Sequence, residues 1–414
     1  MVKIREFKAL RPREESVAEV ASPPYDVLNS QEARERTWNQ PLSFLHVVKP
    51  EIDLAEDIDP YDESVYRQGR ENLERLAREG ILISDQQPAL YFYRQVMGDH
   101  SQTGLVACAS IEDYENNRIK KHEYTRADKE ADRIRHVETL NANTGPVFLT
   151  YSADREMDSL TKKITSTSPL YDFTSEDQVR HTVWKVDRKE TMEQIKKIFA
   201  GLEVLYVADG HHRSASAVRV GQKRREANPA HTGEEEYNFF LTVLFPHNQL
   251  QILDYNRVVR DLNGLSADEF LERIGGSFKV ELSPENRPFR PAALREFGMY
   301  LAGKWYQLTA RPGSFPEDDP VKSLDVSILQ QNLLEPILKI GDPRTDQRID
   351  FVGGIRGLKE LSRRVDGGEA VAFALYPTSI EQLMAIADRD LVMPPKSTWF
   401  EPKLRSGLLI HRLD

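Results

Sequence analysis

The sequence predicts a mixed α/β (α+β) protein. Short runs rich in β-branched and aromatic residues alternate with longer amphipathic or charged stretches, and no unit repeats along the chain. A length of 414 residues allows two or three domains, or one large elaborated one. The expected division is an N-terminal region, 1–255, with a core at about 85–255, and a C-terminal α/β elaboration, 256–414, whose tail returns to the active site.

The elements follow in order. The first fifty residues read as irregular, because Pro12, Pro23, Pro24 and Pro41 interrupt any long element. Residues 63–79 place Val65, Tyr66, Leu73, Leu76 and Ala77 on one face before Gly80, which predicts an amphipathic helix with a glycine stop. Ala89–Val96, Thr103–Ile111 and Val147–Tyr151 read as strands, with a partly helical charged segment from Arg118 to His136. Thr182–Val186 and Glu203–Ala208 are further strands, the second running through Asp209-Gly210 into a helix that reaches about Ala227. The apolar run Asn238–Phe245 predicts a strand buried on both faces. Beyond it come a helix to Ile274, a hairpin at Met299–Leu308 turning at Gly303, and a long helical stretch from Ser323 to Ile340, broken near Pro336. A helix at Leu358–Val365, a strand at Val371–Leu375, a helix at Ile380–Ala387 and an irregular tail complete the chain.

Composition narrows the function. Lys and Arg total 56 against 66 Asp and Glu, a net charge of −10, which disfavours broad electrostatic capture of nucleic acid. No run of roughly 18 uncharged apolar residues occurs, so no membrane-spanning helix is expected. The N-terminus lacks an apolar secretory core, and the single cysteine, Cys108, can form neither an intrachain disulfide nor a cysteine-rich metal site. The expected compartment is a reducing cytoplasm. The chain has no G-x-x-x-x-G-K-[ST] loop, no strand-linked G-x-G-x-x-G and no G-x-S-x-G elbow.

The strongest chemical signal is Ala208-Asp209-Gly210-His211-His212-Arg213, where an apolar strand ends and a helix opens. Gly210 permits a sharp turn and close backbone approach to a ligand. The unpaired N–H groups of a first helical turn carry partial positive charge, and Arg213 with either histidine completes a phosphate site. Asp209 is a candidate to hold magnesium or to orient a histidine. A zinc site on His211 and His212 is less favoured, because adjacent helical residues diverge whereas metal pairs sit at i, i+4.

These residues resemble the hallmark of the prokaryotic family named domain of unknown function one thousand and fifteen. Pro23-Pro24-Tyr25-Asp26-Val27, His122-Glu123-Tyr124-Thr125 and Pro394 to Lys403 followed by Ser406-Gly407-Leu408 resemble its other motifs, in the same order. The hexapeptide also resembles the nucleotide-binding turn of the ParB/sulfiredoxin fold, including its free serine kinases. The resemblance implies a ParB/sulfiredoxin-like nucleotide-binding core with N- and C-terminal elaborations, a phosphate-binding turn at Asp209 to Arg213, and ATP or ADP with Mg2+ as cofactors. It also implies a glutamate as base. Family genes tend to lie near those for the phosphorylated route of serine biosynthesis.

Two further clusters add candidates. On a helix from Arg126 to Leu140, Lys129, Arg133 and His136 share a face and would form a cationic stripe for phosphate or carboxylate. Phosphoryl transfer to a hydroxyl needs a proton acceptor, and Glu123 is the candidate general base, with Asp209 the second catalytic carboxylate. His122, Thr125, Arg133, His136 and Asn143 are the substrate-binding candidates. Lys396 and Lys403, flanking Trp399 and Phe400, are candidates to reach nucleotide phosphate from the tail. The expected function is phosphoryl transfer on a small hydroxyl compound, most specifically serine or phosphoserine with an adenine nucleotide. A phosphatase on the same site and a nucleotide-sensing regulator stand as alternatives. Its expected partners are a small-molecule substrate and a nucleotide, with neither nucleic acid nor membrane.

Overall fold

The computed structural model describes residues 1–414 and divides into two compact units. The first comprises Met1–Lys121, Thr125–Leu250 and Pro402–Asp414; the second comprises His122–Tyr124 and Gln251–Glu401.

The first unit is built on a nine-stranded mixed sheet. Its strands run in the order Ile119–Lys120, Leu205–Asp209, Val147–Tyr151, Phe239–Pro246, His100–Ser110, Leu90–Met97, Arg180–Val186, Tyr171–Thr174, with Ile4–Arg5 added against His100–Ser110. Two pairings are parallel, Leu205–Asp209 with Ile119–Lys120 and Phe239–Pro246 with Val147–Tyr151; the others are antiparallel. Every residue of Phe239–Pro246 is buried, as its largely apolar run predicts for a central strand. A second sheet joins Leu82–Ser84, Ala9–Pro12, Ile410–Arg412 and Ala142–Asn143. The helix Glu63–Arg78 starts where the Asp62 carboxylate accepts the Ser64 N–H at 2.8 Å, and buries Val65, Tyr66, Leu73 and Leu76.

The second unit carries a six-stranded antiparallel sheet in the order Phe278–Leu282, Lys304–Ala310, Glu296–Leu301, Val371–Leu375, Tyr255–Val259, Ile349–Gly353. Its hairpin turns through Ala302 and Gly303, both at positive φ, the geometry that matches strand twist. Capping boxes open its helices Ala267–Ile274 and Ile380–Asp388, from Ser266 with Glu269 and from Ser379 with Gln382.

Three expectations change. The first fifty residues are not irregular: Ala9–Pro12 is a strand, and helix Ser30–Thr37 opens with a capping box from Asn29 and Glu32. The helical stretch predicted from Ser323 to Ile340 is α-helical only over Asp325–Leu329, then widens to a π-type turn over Gln330–Leu334. Pro336 cannot donate to this ladder, and its ring crowds the carbonyl one turn earlier. The tail is not irregular throughout: Trp399–Glu401 pairs with Gln251–Leu253, and Ile410–Arg412 enters the small sheet of the first unit. Pairings this short lie below the length at which alternation shows in a sequence.

One buried acid in the second unit makes stability depend on pH. Asp325 is 5% exposed, and although its Oδ1 accepts the Arg295 N–H at 2.9 Å, burial pushes its carboxyl up to about 7. The folded form therefore holds a proton that the unfolded chain releases near pH 4. The stabilisation is complete below pH 4 and is lost as pH rises through about 7. Wild-type protein should lose on the order of 3 kcal/mol between pH 5 and pH 8.5 from this group, and Asp325→Asn should flatten the fall. Parallel melting temperatures for the two proteins across that range would contradict the assignment.

Candidate functional site

The site in the first unit begins where strand Leu205–Asp209 meets helix His211–Ala227. Against Val147–Tyr151, Val207 faces Leu149 while Asp209 faces Phe148, so Ala208 is an inserted residue. Such a bulge re-aims the next side chain, here Asp209. Gly210 then adopts φ 95° and ψ 35°, a left-handed turn that glycine adopts without strain. Its N–H donates to Asp209 Oδ1 at 3.0 Å and its carbonyl accepts the Ser214 N–H at 2.9 Å. The small residues Ser214, Ala215, Ser216, Ala217 and Gly221 are all buried and let this helix lie close on its neighbours.

Three charges converge on the turn. Asp209 Oδ2 lies 3.2 Å from Lys403 Nζ and 3.7 Å from Arg213 Nη2. Burial alone would raise the Asp209 carboxyl, but Lys403 and then Arg213, with His211 adding to them, hold it well below the usual carboxylate range. Arg213 is 10% exposed and folds back over Gly210. Its Nη1 donates to the Pro146 carbonyl, while its Nε is buried and has no hydrogen-bond partner.

Arg213 also lines a narrow crevice of about 30 Å³. Arg133, His136, Asn143, Tyr25 and Ser406 are among the other walls. The Arg133 guanidinium lies 4.1 Å from the centre of the Tyr25 ring and is paired with Asp132 at 2.8 Å, both side chains being nearly buried. Asn143 Oδ1 accepts the Leu241 N–H at 3.2 Å and lies 3.2 Å from His411 Nδ1, an arrangement that holds the amide in place. Two guanidinium groups, an amide and a serine hydroxyl make this a place for an oxyanion rather than a cation.

The predicted residues divide between the units. Asp209, Gly210, His211, His212, Arg213 and Lys403 come together at the turn, and Arg133, His136 and Asn143 at the crevice beside it. His211 is buried, and His212 Nε2 accepts the Arg126 N–H at 3.0 Å. Thr125 donates to Glu130 Oε2 at 2.7 Å. The cationic stripe on helix Ala127–Leu140 is corrected at His136. Burial and the neighbouring Arg133 push that imidazole down to about 3, so it is neutral, bonded to the Val47 carbonyl at 3.1 Å. Lys129 instead sits over the Tyr61 ring, 5.2 Å from its centre.

His122, Glu123 and Lys396 belong to the second unit. There the His122 carbonyl accepts the Met393 N–H at 2.9 Å, the Lys396 carbonyl accepts Arg257 Nη2 at 3.0 Å, and the Lys396 ammonium lies 5.5 Å from the Tyr255 ring centre. Magnesium does not fit Asp209 as it stands. Oδ1 is taken by the Gly210 N–H, and Oδ2 by two cations that a metal ion would have to displace.

Tyr25 and Ser406 were not among the candidate residues, although both lie in motif segments. Their proximity is long-range: Ser22 and Ser406 exchange backbone hydrogen bonds of 3.1 and 2.9 Å, bringing the first and last motifs side by side.

A family model described as "Protein of unknown function (DUF1015)" matches residues 4–327. The chain belongs to this family. The motif segment from Pro394 to Leu408 lies beyond the matched range. No curated protein matches the chain. Among solved structures, a free serine kinase in complex with AMP aligns over 74% of this chain and 91% of its own, at 13% identity and a TM-score of 0.37. SbnI with a C-terminal truncation, from Staphylococcus aureus, aligns over 74% and 87%, at 10% identity and a TM-score of 0.38. A conserved hypothetical protein from Pyrococcus furiosus aligns over 74% and 94%, at 13% identity and a TM-score of 0.36. Similarity at this level carries no weight for ligand or reaction.

Proposed function

We propose that this member of the family is a phosphotransferase acting on a small hydroxyl compound, most specifically free serine or phosphoserine with an adenine nucleotide. The observation that carries the reading is the turn at Gly210. There the buried, partner-less Nε of Arg213 and the N–H groups of a first helical turn stand beside a carboxylate held ionised. Oxyanions bind at such turns through charge-assisted hydrogen bonds. The resemblance of the turn to that of the free serine kinases supports the choice of substrate.

In this mechanism Gly210 to Arg213 hold the transferring or adjacent phosphate, and Arg133 with Asn143 holds the substrate's acidic end. Asp209 orients the reacting hydroxyl. The hydroxyl oxygen bonds to phosphorus as the bond to the nucleotide's bridging oxygen breaks, and the hydroxyl proton goes to a carboxylate. Glu123 is assigned that proton on the His122-Glu123-Tyr124-Thr125 motif alone. Magnesium, carried on the nucleotide, would supply charge neutralisation, and no residue is assigned to it. Positioning and charge stabilisation supply the rate enhancement.

The test is incubation with ATP, magnesium and serine, with chromatography for phosphoserine and ADP in equal amounts. Arg213→Ala serves as the control that ties product to this site. Failure of wild-type protein both to form phosphoserine from ATP and serine and to form ATP from phosphoserine and ADP would refute the serine assignment.

A further inference from the structure

We infer that Arg405 is a positioning residue that sets the Lys403 ammonium on Asp209, so that the C-terminal segment completes the phosphate-binding turn. The inference rests on the site reading above. It concerns Arg405, which lies between the two tail motifs and was not among the site candidates.

The segment Pro402–Asp414 belongs to the first unit, and its start has no helix or strand of its own to hold it. Side-chain bonds hold it instead. The Lys403 carbonyl accepts Gln95 Nε2 at 2.9 Å, and Gln95 is itself braced by Gln102 at 3.1 Å. Two residues on, Arg405 is 5% exposed and spreads its guanidinium over three partners. Nη2 donates to Ser175 Oγ at 2.9 Å and pairs with the Asp177 carboxylate, while Nε donates to His181 Nε2 at 3.3 Å.

That last bond determines the tautomer of His181. Burial and then Arg405 push the imidazole down to about 3, so it is neutral. With Nε2 accepting, the ring hydrogen sits on Nδ1 and is donated to Tyr93 Oη at 2.7 Å. Tyr93 and His181 lie on adjacent, paired strands, so this part of the anchor is built into the sheet, while Ser175 and Asp177 sit in the turn between strands Tyr171–Thr174 and Arg180–Val186. The clamp needs a planar fork. A lysine at position 405 would keep the charge but reach only one of the three partners. The Lys403 ammonium lies 3.2 Å from Asp209 Oδ2 at the end of a flexible stem, so its placement depends on where the backbone at 403–405 is fixed.

The test is a double-substitution cycle read by calorimetric titration with ADP. Arg405→Lys should raise the dissociation constant at least about tenfold in the wild-type background, and less than about twofold once Lys403 is already methionine. A role in folding alone would weaken binding equally in both backgrounds, and equal losses would overturn the inference. The second measurement needs no ligand: the rate at which Lys403 is acetylated, followed by mass spectrometry. It should be slow in wild-type protein and rise severalfold in Arg405→Lys and, by less, in Asp177→Asn, which removes one partner and serves if Arg405→Lys does not fold. Unchanged Lys403 acetylation would also overturn the inference. If wild-type protein binds no ADP, the site reading fails, and the acetylation rates alone decide the role of Arg405.

Discussion

Arg213→Ala should raise the dissociation constant for ADP about 100-fold and leave phosphoryl transfer undetectable. Arg213 offers an unpartnered Nε within a guanidinium whose other end is fixed on the Pro146 carbonyl. One to two charge-assisted bonds at roughly 1.5–3 kcal/mol each cover this range. The substitution also takes one of two cations from Asp209, so the carboxyl should regain part of its ordinary affinity for protons. Arg213→Lys should recover only part of the binding, because an ammonium cannot hold Pro146 and a phosphate with one planar fork. Titration calorimetry measures both variants, and dissociation constants within threefold of wild type would place the nucleotide elsewhere.

Gly210→Ala should lower both stability and affinity, for separable reasons. A φ of 95° costs a residue with a side chain about 1–2 kcal/mol. The added methyl carbon would also lie 3.0 Å from Arg213 Nε and 3.1 Å from its Cζ and Nη2, forcing the guanidinium aside. Gly303→Ala isolates the backbone cost, since that turn glycine has φ 76° and no atom near where a methyl would sit. Both variants should melt a few degrees below wild type, while only Gly210→Ala loses about tenfold in ADP affinity. Equal ADP affinity in the two variants would show that the Arg213 position is not what the turn protects.

The turn was legible in the sequence because its chemistry is contiguous: a strand, an acid, a glycine and a cationic helix start lie within Leu205 to Arg213. Val147–Tyr151 and Val371–Leu375 match their strands to the residue, since short, almost wholly apolar runs with Val and Phe leave little choice of element. The crevice was not legible as a unit. Tyr25, Arg133, Asn143, Arg213 and Ser406 meet only because the small sheet and the Ser22–Ser406 bridge bring both chain ends to one place. No local pattern encodes that meeting. His136 was read as a cation from helical spacing, which reports a face but not its dielectric. Buried against the Val47 carbonyl, the ring loses its charge. Arg405 carries no signal at all in sequence, because Ser175, Asp177 and His181 lie on the far side of the chain.

Phosphoryl transfer at the Gly210 turn is tested most directly by a phosphorus NMR time course with phosphoserine, magnesium and ADP beside an ADP-free control. The phosphoserine signal should fall as ATP rises in the complete mixture only, and Arg213→Ala should show neither change. Inorganic phosphate accumulating in both tubes would contradict it and make the protein a phosphatase.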